Sequence, residues 1–114
     1  MATNVYRSES SIFFDGTTPS SFYGWYVSTN AESMQLDHFD SAAAREDFVQ
    51  KVTQALQQIG ATDTCEDRVA GLLALRLYGA ADQSEYATLL LEGELDIEKA
   101  KALEDLFRSD EDND

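Results

Sequence analysis

Few residues of this chain have the types and spacing needed for catalytic or metal chemistry. Asp37, His38 and Asp40 stand close together, so His38 could act as a base oriented by Asp37 or as one metal ligand. A transition-metal site usually takes three or four protein ligands, and the chain has one histidine and one cysteine, Cys65. We therefore expect His38 to be a partly exposed residue at a strand end and Cys65 to be a small, buried or half-buried residue.

Sequence motifs of known catalytic sites are also missing. The chain has no glycine-rich phosphate loop, no HExxH and no GxSxG. Its acidic end, Asp110 to Asp114, lacks the central glycine and the terminal glutamate of a calcium loop. The sequence thus predicts no catalytic residue, no bound metal and no cofactor. We therefore do not expect the protein to be an enzyme.

The strongest signal is charge. Asp and Glu number 22 against 8 Lys and Arg, which gives a net charge of −14 on 114 residues. Without the four acids of residues 110–114 the net charge is still −10, so the body of the protein is itself acidic. Such a field repels DNA, RNA and anionic membranes and attracts basic surfaces. We expect no direct binding of nucleic acid or membrane, and a basic partner.

Several carboxylates recur at helical spacing near the C-terminus. Glu94, Glu98 and Asp105 fall near one face of the predicted last helix. Residues four apart on a helix are separated by about 6 Å along its axis, which resembles the spacing of adjacent phosphates on a nucleic-acid strand. The alternative is a solvated face with ordinary salt bridges, because a lysine interrupts this face and Glu104 stands four residues before an arginine.

Aromatic residues concentrate at the other end of the chain, where residues 1–39 hold eight of the twelve. The segment Phe22 to Tyr26 could stack single-stranded bases, but that use needs a basic groove, and Arg7 is the only base in this range. Alternation places Tyr23, Trp25 and Val27 on one face of a strand, so one face is core. The other is either covered by helices or a contact surface, for which Trp25 is the candidate aromatic anchor.

The aromatic part of the chain is predicted to be a sheet. Ser10 to Phe14 and Phe22 to Ser28 are rich in strand formers, and residues 15–20 form a loop between them, as in a hairpin. Met34 to Phe39 alternates as a third strand, with Met34, Leu36 and His38 as candidates for one face.

From Asp40 onward the pattern is helical. Asp40 or Ser41 can cap a helix that runs to about Ile59, with Gly60 after its end. Apolar residues in this segment fall on one stripe, namely Phe48, Val52, Leu56 and Ile59.

Three more helices are predicted. A central helix starts at Asp63 to Glu66 as a capping box and ends at Gly79, with an apolar body of Val69, Leu72, Leu73 and Leu77. Ser84 to Glu92 favours a short helix, although Ala87 to Leu91 could be a strand. Asp96 caps a last helix to about Arg108, whose expected buried residues are Ile97, Ala100, Leu103 and Phe107.

Together these elements predict an α+β domain over residues 1–108, with a small N-terminal antiparallel sheet of about three strands packed on C-terminal helices. Residues 109–114 are expected to be a flexible acidic tail. The N-terminus does not resemble a signal peptide, and the apolar segment Val69 to Tyr78 is far shorter than the roughly 20 residues of a membrane span. We expect a soluble, cytoplasmic protein that is a monomer or a homodimer.

In size, acidity and lack of catalytic motifs, the chain resembles the compositional class of small prokaryotic and phage DNA mimics and anti-defence inhibitors. The resemblance implies inhibition of a basic nucleic-acid-binding protein, such as a host DNA-binding protein, a nuclease or a CRISPR-type effector. An immunity protein or antitoxin that caps a cognate basic nuclease toxin is the alternative, and a source organism adapted to salt is a third explanation of the acidity. The expected partner-binding residues are Asp63, Glu66, Asp67, Glu92, Glu94, Asp96, Glu98, Glu104, Asp105 and Trp25.

Overall fold

Three antiparallel strands form the N-terminal part of the protein, in the order β1-β2-β3. The computed structural model describes residues 3–13, 19–30 and 32–112. The strands are β1 (Asn4–Phe13), β2 (Pro19–Ser28) and β3 (Ser33–Phe39). The predicted hairpin and third strand are confirmed, but β1 begins well before Ser10, and β2 includes two residues expected in the loop. Phe14 and the rest of that loop, residues 15–18, lie outside the described residues.

One face of the sheet forms the floor of the core. Val5 lies opposite Val27, which lies opposite Met34, and Arg7 lies opposite Trp25. Residues directly opposite one another in an antiparallel pair share a face of the sheet. Trp25 and Val27 are fully buried and Met34 nearly so, so this is the face that the helices cover. Phe22 and Tyr26 belong to the opposite face.

A bulge interrupts the pairing of β2 with β3. Gly24 lies opposite Asp37 and Tyr23 opposite Phe39, so His38 is the extra residue of the bulge. His38 is exposed. The prediction that His38 continues the row of Met34 and Leu36 is therefore wrong, because the bulge shifts the alternation by one residue.

Phe39 takes the core-facing position instead and is partly buried. Its ring centroid lies 5.8 Å from that of Trp25 and 5.3 Å from that of Phe48, in edge-to-face and tilted arrangements typical of packed aromatic residues. The bulge also requires its glycine: a Cβ atom on Gly24 would lie 1.6 Å from the backbone oxygen of Leu36. Any side chain there would push β3 away from β2.

Helix α1 (Ala42–Gln58) follows the prediction at both ends. The Ser41 hydroxyl accepts a hydrogen bond from the Ala44 backbone N–H at 3.0 Å. Gly60 adopts a left-handed φ of 77°, as expected for the residue after a helix end. The predicted apolar stripe is confirmed, since Phe48, Val52 and Leu56 are buried and Ile59 is partly buried.

Helix α2 (Glu66–Tyr78) is the central helix of the fold and contacts all three strands and α1. Every residue from Val69 to Leu75 is buried. Gly71 permits this close packing, because a Cβ atom there would lie 2.7 Å from a Val5 methyl group and 2.9 Å from the Trp25 ring. The helix ends before Gly79, as predicted.

The start of α2 differs from the prediction. Its N-cap is Cys65, which makes no side-chain cap hydrogen bond, so Asp63 and Glu66 do not form the expected capping box. Cys65 is exposed rather than buried or half-buried. The N-cap position precedes the first turn of the helix, and the buried part of α2 begins only at Val69.

Helices α3 (Ala81–Leu95) and α4 (Ile97–Asp112) complete the fold. Helix α3 exceeds the predicted Ser84 to Glu92 at both ends, which rules out a strand there. At the junction Asp96 has a φ of 79° and accepts a hydrogen bond from the Lys99 N–H at 2.9 Å, as a cap. Ile97 is 57% exposed, against the prediction of burial. Helix α4 continues through residues 109–112, where the sequence predicts the start of a tail.

Candidate acidic interaction surface

Some carboxylates are neutralised within the protein and therefore have less charge to offer a partner. Arg7, on β1, contacts Glu46 of α1 and lies 2.9 Å from an oxygen of Asp67 on α2. This cluster joins the sheet to two helices at the protein surface. Asp67, which the sequence predicts to bind a partner, thus forms an ion pair with Arg7 within the protein.

Glu94 is also paired within the protein. The structure places it on α3, before the break at Asp96, and not on the last helix with Glu98 and Asp105. Its Oε1 lies 2.6 Å from Nε of Arg68, whose Nη1 also donates to the Thr3 carbonyl. The predicted row of three carboxylates on one helix is therefore wrong, because the left-handed residue at Asp96 divides it between two helices.

Glu104 lies in a third cluster, between helices. Its Oε1 is 3.0 Å from Arg76 of α2 and 2.7 Å from Arg108 of α4, and only 19% of its side chain is exposed. Arg76 also donates to the hydroxyl of the buried Ser84 at 2.7 Å. This network ties α4 to α2 and α3, so the role of Glu104 in the described structure is structural.

Trp25 cannot act as the aromatic anchor in this fold. Its side chain is fully buried beneath α1 and α2, against the prediction that it contacts a partner. The physical reason is that the Trp25 face of β2 is the one that packs against Gly71 of α2 and Phe48 of α1. Among the side chains of the sheet that the structure describes, Tyr6 is a large aromatic residue that stays exposed, at 55%.

The exposed acids that make no ion pair among the described residues include Glu98, Asp105, Asp63 and Glu66. Glu98 and Asp105 are seven residues apart on α4 and so share a face of that helix. Glu92 is half-buried on α3, and Asp96 is exposed but occupied as the cap of α4.

Three of these free carboxylates, Asp105, Glu66 and Asp63, lie around one end of α1, and Glu98 lies about two turns before Asp105 on α4. Asp105 shares the wall of a groove with Gln58 and Ile59, the last residues of that helix. Glu66 lines a depression of about 60 Å³ with Gln57, and Asp63 lies in the connection that precedes Glu66. The last turn of α1 contains no basic residue, so the partial negative charge of its carbonyl end adds to that of the carboxylates.

The residues with catalytic or metal potential do not converge. The ring of His38 stacks on that of Tyr78, with centroids 4.0 Å apart and planes within 6°. Within residues 3–13, 19–30 and 32–112, no group of three or more His, Cys, Asp or Glu side chains could hold a metal ion. In the same part of the chain, no helix is long and apolar enough to cross a membrane.

The chain was compared with known proteins by sequence and by structure. Models of known protein families, curated proteins and solved structures gave no match to this chain.

Proposed function

We propose that this protein is an acidic DNA mimic that binds a basic, nucleic-acid-binding protein in the cytoplasm and blocks its nucleic-acid site. The observation that supports this most is the set of free carboxylates around the end of α1 and along α4. The body uses most of its arginines to neutralise Glu46, Asp67, Glu94 and Glu104. Glu98, Asp105, Asp63 and Glu66 have no such partner among the described residues.

The physical basis of the proposal is electrostatic. A phosphate-binding surface carries Lys and Arg side chains that are usually compensated by nucleic acid and its counterions. Exposed carboxylates without an intramolecular partner, on a protein whose net charge is −14, can take the place of the phosphates and accelerate association. Binding should therefore weaken steeply with salt and compete with DNA or RNA.

The test compares two variants of equal charge. The first neutralises the free cluster with Asp63→Asn, Glu66→Gln, Glu98→Gln and Asp105→Asn. The control neutralises exposed acids on other parts of the protein with Glu9→Gln, Glu32→Gln, Asp47→Asn and Glu85→Gln. Each has a net charge of −10 instead of −14.

The proteins are used to capture partners from the source cell, and a captured basic protein is purified and titrated in the presence of DNA. We expect the first variant to lose most of its affinity and the control to lose little. Equal losses would mean that total charge, and not this surface, mediates binding. If the wild type recovers no basic nucleic-acid-binding protein, the DNA-mimic proposal is wrong.

The immunity-protein alternative is tested in the same experiment. It calls for a compact patch with an aromatic anchor, and the burial of Trp25 removes the anchor that the sequence suggests. A cognate nuclease held stoichiometrically, with little sensitivity to salt, would favour that alternative over mimicry.

A further inference from the structure

A groove runs between helices α1 and α4. One half has a volume of about 360 Å³ and is lined by Lys51, Gln54, Ala55, Gln58, Leu106 and Phe107. The other half has a volume of about 400 Å³ and is lined by Gln58, Ile59, Ala102, Asp105 and Leu106. Both parts are lined by Gln58 and Leu106, so they adjoin each other along the same pair of helices.

The walls of the groove are antiparallel. Residues late in α1 face residues early in α4, since Ile59 lies with Ala102 and Lys51 with Phe107. Between Lys51 and Ile59 the groove extends for about 12 Å along α1, or roughly two helical turns. A third helix can lay a ridge of side chains into a space of this kind between two packed helices.

Part of the lining of the groove is apolar and partly exposed to solvent. Ile59, Leu106 and Phe107 pack against the core but are not fully covered. Gln54 and Gln58 provide hydrogen-bonding groups on the α1 rim. An apolar side chain would therefore gain free energy on entering, while its backbone and polar neighbours could remain hydrated.

The charges at the two ends of the groove differ. Lys51 lies at one end, and Asp105 lies at the other beside the carbonyl end of α1. Asp105 belongs to the free carboxylate cluster described above. A base on the occupant would be attracted to that end, and the net charge of the whole chain favours an occupant that is basic overall.

We propose that this groove docks an amphipathic helix of net positive charge. The inference rests on the proposed function and specifies it: the helix belongs to the basic partner, one or two of its apolar side chains enter the groove, and a Lys or Arg beside them pairs with Asp105. The negative charge attracts basic proteins in general, and the apolar contact in the groove then selects among them.

The test uses two synthetic peptides of identical Lys and Leu composition, each about 18 residues, long enough to form a helix on binding. In one peptide leucine recurs every three or four residues and forms a stripe. In the other the same residues are rearranged so that no stripe forms. Affinity is measured by fluorescence anisotropy, and the contact surface is mapped by amide shifts in NMR spectra.

The decisive variant is Ala102→Phe, which fills the groove without changing charge. Its control is Ala43→Phe, which adds the same side chain at an exposed position near the start of α1. We expect the striped peptide to bind wild type and Ala43→Phe alike and Ala102→Phe at least about tenfold more weakly. The largest amide shifts should fall at Gln54, Gln58 and Leu106.

Equal binding of the two peptides, or equal effects of Ala102→Phe and Ala43→Phe, would overturn the groove inference. Gln58→Trp, which fills the groove from an exposed position, gives a second reading if Ala102→Phe is poorly folded. The two proposals fail separately. Suppose that a natural basic partner no longer binds the variant with four neutralised carboxylates but binds Ala102→Phe as tightly as the wild type. That result would refute the groove inference and leave the DNA-mimic proposal in place.

Discussion

Arg76 of α2 and Glu104 of α4 form an ion pair with 3.0 Å between Nη2 and Oε1, at a position where only 29% and 19% of the two side chains are exposed. Arg76 also donates to Ser84, and Ser84 donates back to the Arg76 carbonyl at 2.7 Å. The pair therefore connects three helices in a partly dry environment. Removing one member of such a pair leaves the other charge partly buried and unpaired, which lowers the free energy of unfolding.

The first prediction contrasts Glu104 with its neighbour. Glu104→Gln removes the charge that Arg76 and Arg108 share, and we expect a loss of about 1–3 kcal/mol in the free energy of unfolding. Asp105→Asn makes the same change of charge at an exposed position without an ion pair, and its effect should stay within about 0.5 kcal/mol. Urea unfolding followed by circular dichroism measures both.

Partner binding should show the reverse order. Asp105→Asn is expected to lower the affinity for the captured partner more than Glu104→Gln does, because Asp105 is a free carboxylate and Glu104 is already neutralised by Arg76 and Arg108. A Glu104→Gln protein that keeps full stability but loses the partner would contradict the structural role assigned to this residue.

The sequence was sufficient to predict elements whose signals are local. Helix α1 has a capping serine, a four-residue apolar repeat and a glycine at its end, and the structure reproduces all three. The α+β order and the central position of α2 follow in the same way from strand formers and from the apolar run Val69 to Leu75. These features depend on residues close to one another in the chain.

The candidate site could not be predicted as well, because it depends on contacts between distant residues. Which face of β2 is buried depends on how closely α2 approaches at Gly71, so Trp25 could not be distinguished from a surface anchor. The pairing of Arg68 with Glu94 joins residues 26 positions apart in the sequence. Charge composition indicates an acidic exterior but not which acids the arginines neutralise.

The second prediction concerns the contact of α2 with the sheet. In Gly71→Ala the new Cβ atom would meet Val5 and Trp25 at less than 3 Å, so we expect a loss of about 1–3 kcal/mol through overpacking. Gly93→Ala is the matched control on α3, where a Cβ atom meets nothing within 4 Å. It should stabilise the protein by about 0.5–1 kcal/mol through helix propensity.

Thermal or urea unfolding of the two glycine variants distinguishes them by sign. If Gly71→Ala proves as stable as the wild type, the backbone of α2 does not lie close enough to Trp25 for a Cβ atom to meet its ring at 2.9 Å.

The third prediction concerns Cys65, the exposed N-cap of α2. A thiol reagent such as a chromogenic disulfide should modify it in the native protein at a rate close to that of the urea-unfolded chain, because no packing has to open first. Labelling that needs denaturant would mean that the start of α2 is covered. Modification should cost little stability, since Cys65 makes no cap hydrogen bond.

The fourth prediction follows from the net charge of the folded body. Mutual repulsion of carboxylates opposes the compact state, and raising NaCl from about 0.01 M to 0.15 M shortens the screening length from about 30 Å to about 8 Å. We therefore expect the melting temperature to rise, by about 4 °C for each kcal/mol of repulsion removed in a domain of this size. Both variants with a net charge of −10 start from weaker repulsion, so their melting temperatures should rise less over the same range of salt. A melting temperature that falls with NaCl would instead show that the ion pairs of Arg7, Arg68 and Arg76 outweigh the repulsion between unpaired acids.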